Sequence, residues 1–329
     1  MNIDNAHPER ATLSEVGPGV HAWVQPDGSW WINNAGAVLG DDGVVLIDTC
    51  ATARRTRRFL DAVRAASGDA PIRFAVNTHL HGDHTHGNAL LPDSTVLIGH
   101  PATRTGILAE TILAEPPPVW DPVPDWGITE TRAPTVLLQD SLVLQSGDRR
   151  VELHHPGYTA HTPGDVVAWV PDAGVLFTGD LIFHGVTPLV FMGSVEGALK
   201  ALDWLAGFGA AKVVPGHGSV LPGSAFPRVL EDHARYYRFV LDTARQARTD
   251  GLSPLEAARR CDLGEFAAWP DRERIVLNLH RAYAEADDAE FDRAAAFADA
   301  IAHHGKVTVS MSVFHPGQPA VAVRKAARR

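Results

Sequence analysis

Asn77-Thr78-His79-Leu80-His81-Gly82-Asp83-His84-Thr85-His86-Gly87-Asn88 is the stretch from which the fold can be read. It follows the strand-like run Ile72-Arg73-Phe74-Ala75-Val76 and leads into a short helix-compatible segment, Gly87 to Leu91. The imidazoles of His79, His81 and His84 and the Asp83 carboxylate therefore sit at the C-terminal mouth of a buried strand, where side chains can converge on one point. His79 and His81 are two apart, so on extended backbone they point to the same side. Asp83 and His84 follow a glycine that lets the chain turn sharply and present a second pair. Neutral imidazole and carboxylate are ligands that zinc prefers, and an open coordination position makes such a site catalytic.

Three later loops each offer one more ligand of this type. They are Pro156-Gly157-Tyr158-Thr159-Ala160-His161-Thr162-Pro163-Gly164-Asp165, then Phe177-Thr178-Gly179-Asp180, then Pro215-Gly216-His217-Gly218. Each adjoins a strand-like run, and glycine near each ligand allows the backbone to turn tightly beneath a metal.

In this order the motifs resemble those of the metallo-β-lactamase superfamily, over roughly residues 19–218. The resemblance implies an αββα sandwich, here with a C-terminal helical extension. It implies that His79, His81 and His161 hold one metal, that Asp83, His84 and His217 hold a second, and that Asp180 bridges them. Asp48, which ends the apolar run Gly43–Thr49, is expected with Thr78 and Thr162 to orient the ligand rings. Trp30, Trp31, His184 and Phe191 are candidates for touching substrate. The expected cofactor is two zinc ions, with iron or manganese as alternatives. The implied chemistry is hydrolysis of an ester, thioester, lactone or β-lactam-type bond by a hydroxide shared between the metals, with Asp83 as the catalytic carboxylate.

Absences narrow the branch. No cysteine lies between Cys50 and Cys261, so the cysteine ligand of the best-known β-lactamases is missing. His81 stands where flavodiiron oxygen reductases carry glutamate, and no long insertion follows Asp180 as in nucleases of the superfamily. The histidine-only branch of β-lactamases stays open, as do glyoxalase II and lactonase relatives. So do a mononuclear iron enzyme like the persulfide dioxygenases and a non-catalytic ligand-binding relative, although seven intact ligands weigh against both.

The 329 residues carry a net charge of −10, which argues against a nucleic-acid surface. Two cysteines fit a reducing compartment, and no apolar run is long enough for a membrane span. A cytoplasmic location is the resulting expectation, and oligomeric state is left open. The expected division is a core over 12–222, a helical part over 223–304 packed on it, and a tail over 305–329 whose basic residues are Arg324, Lys325, Arg328 and Arg329. The proline-rich stretch 115–134, with Trp120 and Trp126, reads as an ordered surface connector or a lid. Around the ligands, residues 74–103, 151–199 and 213–227 contain no Lys or Arg. That absence predicts a neutral, partly hydrophobic small-molecule substrate, unless Arg228, Arg235, Arg238 or Arg281 reaches across from the helical part.

Overall fold

The structure, a computed structural model, describes residues 11–307. The N-terminus through Arg10 and the four basic tail residues lie outside the described residues. The first sheet follows chain order: β1 (Thr12–Gly17), β2 (Val20–Val24), β3 (Ala35–Gly40), β4 (Gly43–Ile47), β5 (Ile72–Val76), β6 (Val96–Gly99) and β7 (Val136–Leu137). Its strands β4 to β7 run parallel and the others antiparallel. The second sheet holds β8 (Ser141–Ser146), β9 (Arg149–His154), β10 (Val167–Val170), β11 (Val175–His184), β12 (Lys212–Gly218) and β13 (Leu221–Pro222). Its spatial order is β13-β12-β11-β10-β9-β8, with β11 and β12 parallel.

Side chains alternate across each strand, and this sorts them into layers. Val45 and Ile47 of β4 meet Val151, Leu153 and Phe177 in the core between the sheets. Val44 and Leu46 point the other way, against Phe59, Leu60 and Val63 of α1 (Ala53–Ser67). On the second sheet Leu176 and Val213 face outward beneath α4 (Val195–Ala206) and α5 (Phe226–Thr249). The result is an αββα sandwich. Strands apolar on both faces, such as β4, are what a doubly covered sheet demands.

Local signals set the helix ends. Thr52 accepts from Arg55 N at the start of α1, and Ser194 from Gly197 N at the start of α4. A capping box of Ser253 and Glu256 opens α6 (Pro254–Arg260). Beyond it lie α7 (Ile275–Ala286) and α8 (Arg293–His304). Helices α5 to α8 share one hydrophobic cluster with Leu181, Ile182 and Phe183 of β11. Among the described residues no helix is long and apolar enough to cross a membrane.

Several elements differ from the sequence reading. The apolar sequence reads as a strand over 175–178, whereas β11 continues to His184, because the run Leu181-Ile182-Phe183 is buried on both sides. Residues 31–39 read as a strand in the sequence, but β3 begins at Ala35, because the φ of 66° at Trp31 breaks the extended run. The stretch 115–134 is not a surface connector: Val119, Trp120, Trp126 and Ile128 are buried in it. Val307 donates to Val119 O and accepts from Asp121 N, so the segment read as the start of a tail pairs with that stretch.

Candidate metal centre

The parallel strands bring their C-terminal ends to one edge of the sandwich, where the candidate ligands gather. Past β5 the chain presents His79 and His81, then turns into the short helix α2 (Gly82–Thr85), which carries Asp83 and His84. His161 comes from the loop between β9 and β10, Asp180 from within β11, and His217 from β12. The pairing of β11 with β12 shifts register on both sides of Gly179, and such an irregularity re-aims a side chain. Gly216 lies directly under the Asp180 carboxylate: a Cβ there would stand 1.9 Å from Oδ1.

Two groups of donor atoms result, each mutually within 4.8 Å: His79, His81, His161 and Asp180, and Asp83, His84 and His217. Asp180 touches both. Its Oδ2 lies 3.8 Å from His79 Nε2, 3.5 Å from His161 Nε2 and 3.5 Å from His217 Nε2. Its Oδ1 lies 3.1 Å from His84 Nε2, yet neither atom makes a hydrogen bond. Asp83 Oδ2 stands 3.2 Å from His217 Nε2.

The outward nitrogens show how the rings are held. Asp48 accepts from Thr78 N at 2.7 Å, from Thr78 Oγ1 at 2.7 Å and from His84 Nδ1 at 2.8 Å. With its proton committed to Asp48, Thr78 Oγ1 accepts from His79 Nδ1 at 2.9 Å. His161 Nδ1 donates to Leu189 O and His217 Nδ1 to Gly28 O. Four rings are thereby fixed as Nδ1–H tautomers with their Nε2 lone pairs turned inward. His81 turns Nδ1 inward instead, 3.1 Å from His79 Nε2 and 2.9 Å from His161 Nε2.

Inward lone pairs at such distances repel unless a cation lies between them. This is the test of fit, and the donor set passes it: five imidazoles and two carboxylates, anchored from behind, suit divalent cations. Burial holds His79 and His81 below the ordinary imidazole range and His161 down to about 3, so these rings are neutral donors. Burial also opposes charge on His84 and His217, but the carboxylates outweigh it. His84 is raised well above its usual value by Asp180, Asp48 and Asp83, and His217 to about 9 by Asp180 and Asp83. The same carboxylates would favour a divalent cation at that place.

Above the donors opens a cavity of about 220 Å³. Trp30, Trp31, Trp120, Phe183, Phe191 and Phe297 form much of its wall, with Asp83, Asp180 and His217 at its base. Phe191 stacks on His81 with ring centroids 5.0 Å apart. Trp31 meets Trp120 and Trp126 edge to face, which helps hold its left-handed backbone.

Three expectations need correction. His184 does not line this cavity; its Nδ1 donates to Ser219 O. Thr162 orients no ligand ring, because its hydroxyl and backbone N–H both bind Asp165. The three-residue spacing of Thr162 and Asp165 is a local side-chain-to-backbone signal that would have shown this. The cations at the cavity are not Arg228, Arg235, Arg238 or Arg281 but Arg274 and Arg293. Asp271, just before α7, accepts from Ser29 Oγ at 2.8 Å. Leu189 O and Gly28 O were missed as well, and backbone acceptors leave no trace in residue identity.

Residues 28–217 match the model of the metallo-beta-lactamase superfamily. Acyl-coenzyme A thioesterase MBLAC2 of Homo sapiens is 31% identical over 223 residues, which cover 58% of this chain and 78% of the relative. Among solved structures, the stereoselective inverting sec-alkylsulfatase Pisa1 from Pseudomonas sp. aligns with a TM-score of 0.63 at 21% identity, covering 87% of this chain and 51% of that one. This chain thus spans about half the length of the alkylsulfatase. The DIM-1 metallo-beta-lactamase aligns with a TM-score of 0.55 at 18% identity, over 70% of this chain and 98% of that one. At these identities the structural matches bear on the fold.

Proposed function

The chain belongs to the metallo-β-lactamase superfamily, and from that premise we propose that it is a two-metal hydrolase of neutral acyl compounds with a hydrophobic acyl portion. The coarser part of this, a metal-dependent hydrolase, follows from the family together with the donor clusters. The observation that carries the rest is Asp180: one carboxylate within 3.1–3.8 Å of imidazoles from both groups, at the base of an aromatic cavity.

In this reading His79, His81 and His161 would hold one zinc, Asp83, His84 and His217 would hold the other, and Asp180 would serve both. When bound, such cations acidify a water molecule and polarise an acyl oxygen. The protein's own part is positioning. Asp83, whose side chain keeps 12% of its surface open, is the carboxylate placed to orient the attacking water and to take up its proton. Phe191, Trp30 and Trp31 hold the acyl portion and exclude bulk water. An apolar cavity of about 150 Å³ admits benzene, so about 220 Å³ suits a medium-sized acyl group.

Charge supports a neutral substrate. Among the described residues, both cations at the cavity already have partners: Arg274 Nη2 lies 2.9 Å from Asp271 Oδ2, and Arg293 Nη1 3.4 Å from Glu110 Oε1. An anionic substrate would ordinarily be met by free bidentate or point-charge partners.

A second reading, hydrolysis of acyl-coenzyme A thioesters, is favoured by the 31% identical relative. Catalytic efficiency on p-nitrophenyl octanoate, a medium-chain lactone and octanoyl-coenzyme A separates the two. We expect the ester or lactone to lead. A lead for the thioester would replace the first reading with the second, and loss of none of these activities on metal removal would end both.

A further inference from the structure

Residues 270–274, a tight turn before α7, grip the cavity from a part of the chain far from the donor motifs. Thr187 donates to Pro270 O through both its backbone N–H and its hydroxyl. Trp30 Nε1 donates to Glu273 Oε1 at 2.8 Å, and Ser29 Oγ to Asp271 Oδ1. Arg274 Nη1 donates to Thr187 O at 2.7 Å. The Arg274 guanidinium is 2% exposed and lies 4.8 Å from the Trp30 ring centroid and 5.4 Å from that of Phe183. It is therefore held between two aromatic walls of the cavity.

Those walls lead to one donor cluster and not equally to the other. Phe183 stacks nearly parallel on His217, with centroids 5.4 Å apart and 15° between planes. The other flank of that ring system is tied as well, because His217 Nδ1 donates to Gly28 O, next to Ser29 and Trp30. The contacts close a circuit from His217 through Gly28, Trp30, Arg274 and Phe183 back to His217. The cluster of His79, His81 and His161 meets this circuit through Asp180, 3.5 Å from His217 Nε2, and where Phe183 meets His161 edge on at 5.9 Å.

From this circuit we infer that Arg274 is a positioning residue for the half-site of Asp83, His84 and His217, fixing the plane of the His217 ring through Trp30 and Phe183. The inference rests on the two-metal reading above. A planar guanidinium can stack on two rings while its edge bonds a carboxylate and a carbonyl, which an ammonium cannot do. Arg274→Lys should therefore behave like Arg274→Met in this role. Groups that hold a ligand ring from behind typically change metal affinity by about 10–100-fold.

The test is competitive titration of the metal-free chain with Zn²⁺ against a fluorescent chelator, in two backgrounds. His79→Ala leaves the half-site of Asp83, His84 and His217 to be read alone, and Asp83→Ala leaves the other. We expect Arg274→Met and Arg274→Lys to weaken zinc about 10-fold or more in the first background and less than about 2-fold in the second. Equal weakening in both, weakening in neither, or full rescue by lysine overturns the inference. Should Arg274→Met not fold, Trp30→Leu interrupts the same stack while leaving Arg274 paired with Asp271, and it is judged by the same contrast. A wild-type chain that binds a single zinc overturns the two-metal reading itself. A wild-type chain that binds two, with variants that bind as it does, overturns only the role of Arg274.

Discussion

Asp48 shows how much one buried side chain settles. Its carboxylate serves Thr78 N, Thr78 Oγ1 and His84 Nδ1, and through Thr78 it fixes the tautomer of His79 as well. Asp48→Ala should strand two buried N–H donors, each costing about 1–3 kcal/mol. Metal affinity should fall by about 10–100-fold. Chelator competition with thermal unfolding checks both, and unchanged affinity would remove Asp48 from the site. His233 supplies a second test. Its Nδ1 donates to Val229 O and its Nε2 accepts from Phe183 N at 3.0 Å, so it ties α5 to β11 as a neutral ring. Burial, against the pull of the Val229 carbonyl, holds its pKa down to about 4. The unfolded chain binds a proton there near pH 6.5 and the folded one does not. The stabilising contribution of the neutral ring is thus complete above about pH 6.5 and falls by about 1.4 kcal/mol per pH unit as pH drops toward 4. Ring ¹⁵N shifts should show His233 still neutral at pH 5, and a protonated ring there would contradict this.

At the scale of elements, legibility tracked the range of the cause. Strand β5 and the residues of its metal loop could be read directly, because apolar runs and ligand spacing are local. Helix α4, with Ser194 at its cap, and α6, with its capping box, are likewise started by local signals. The extension of β11 to His184 was not, since nothing local marks a strand that continues through an irregular pairing. Nor was the turn of Trp31 into left-handed backbone, which depends on Trp120 and Trp126 about 90 residues away in the chain. Strand β12 gives a prediction of its own. A methyl group at Gly216 would stand 1.9 Å from Asp180 Oδ1 and 2.7 Å from the Gly179 carbonyl carbon, so either backbone or carboxylate must move. Gly216→Ala should cost about 1–3 kcal/mol in stability and lower metal content at both half-sites, as read by calorimetry and elemental analysis. A fully loaded variant with unchanged melting would show that β12 yields without disturbing Asp180.

Taken whole, the molecule is a sandwich whose two halves each contribute candidate ligands, roofed by helices whose own residues face the cavity. The candidate ligands were legible because each motif carries its chemistry in a few adjacent residues. Arg274, Glu273 and Phe297 were not, because they reach the site through contacts with residues far away along the chain. The charge argument shows the same divide. Absence of Lys and Arg near the ligands was visible in the sequence, whereas the pairing of Arg274 with Asp271 and of Arg293 with Glu110 required the fold. The central claim, two metals acting together on a neutral acyl bond, is tested most directly by titrating the metal-free chain with Zn²⁺ while following the initial rate on p-nitrophenyl octanoate. The rate should stay low through the first equivalent and rise until two are bound per chain. Full activity at one equivalent, or activity undiminished in the metal-free protein, would contradict it.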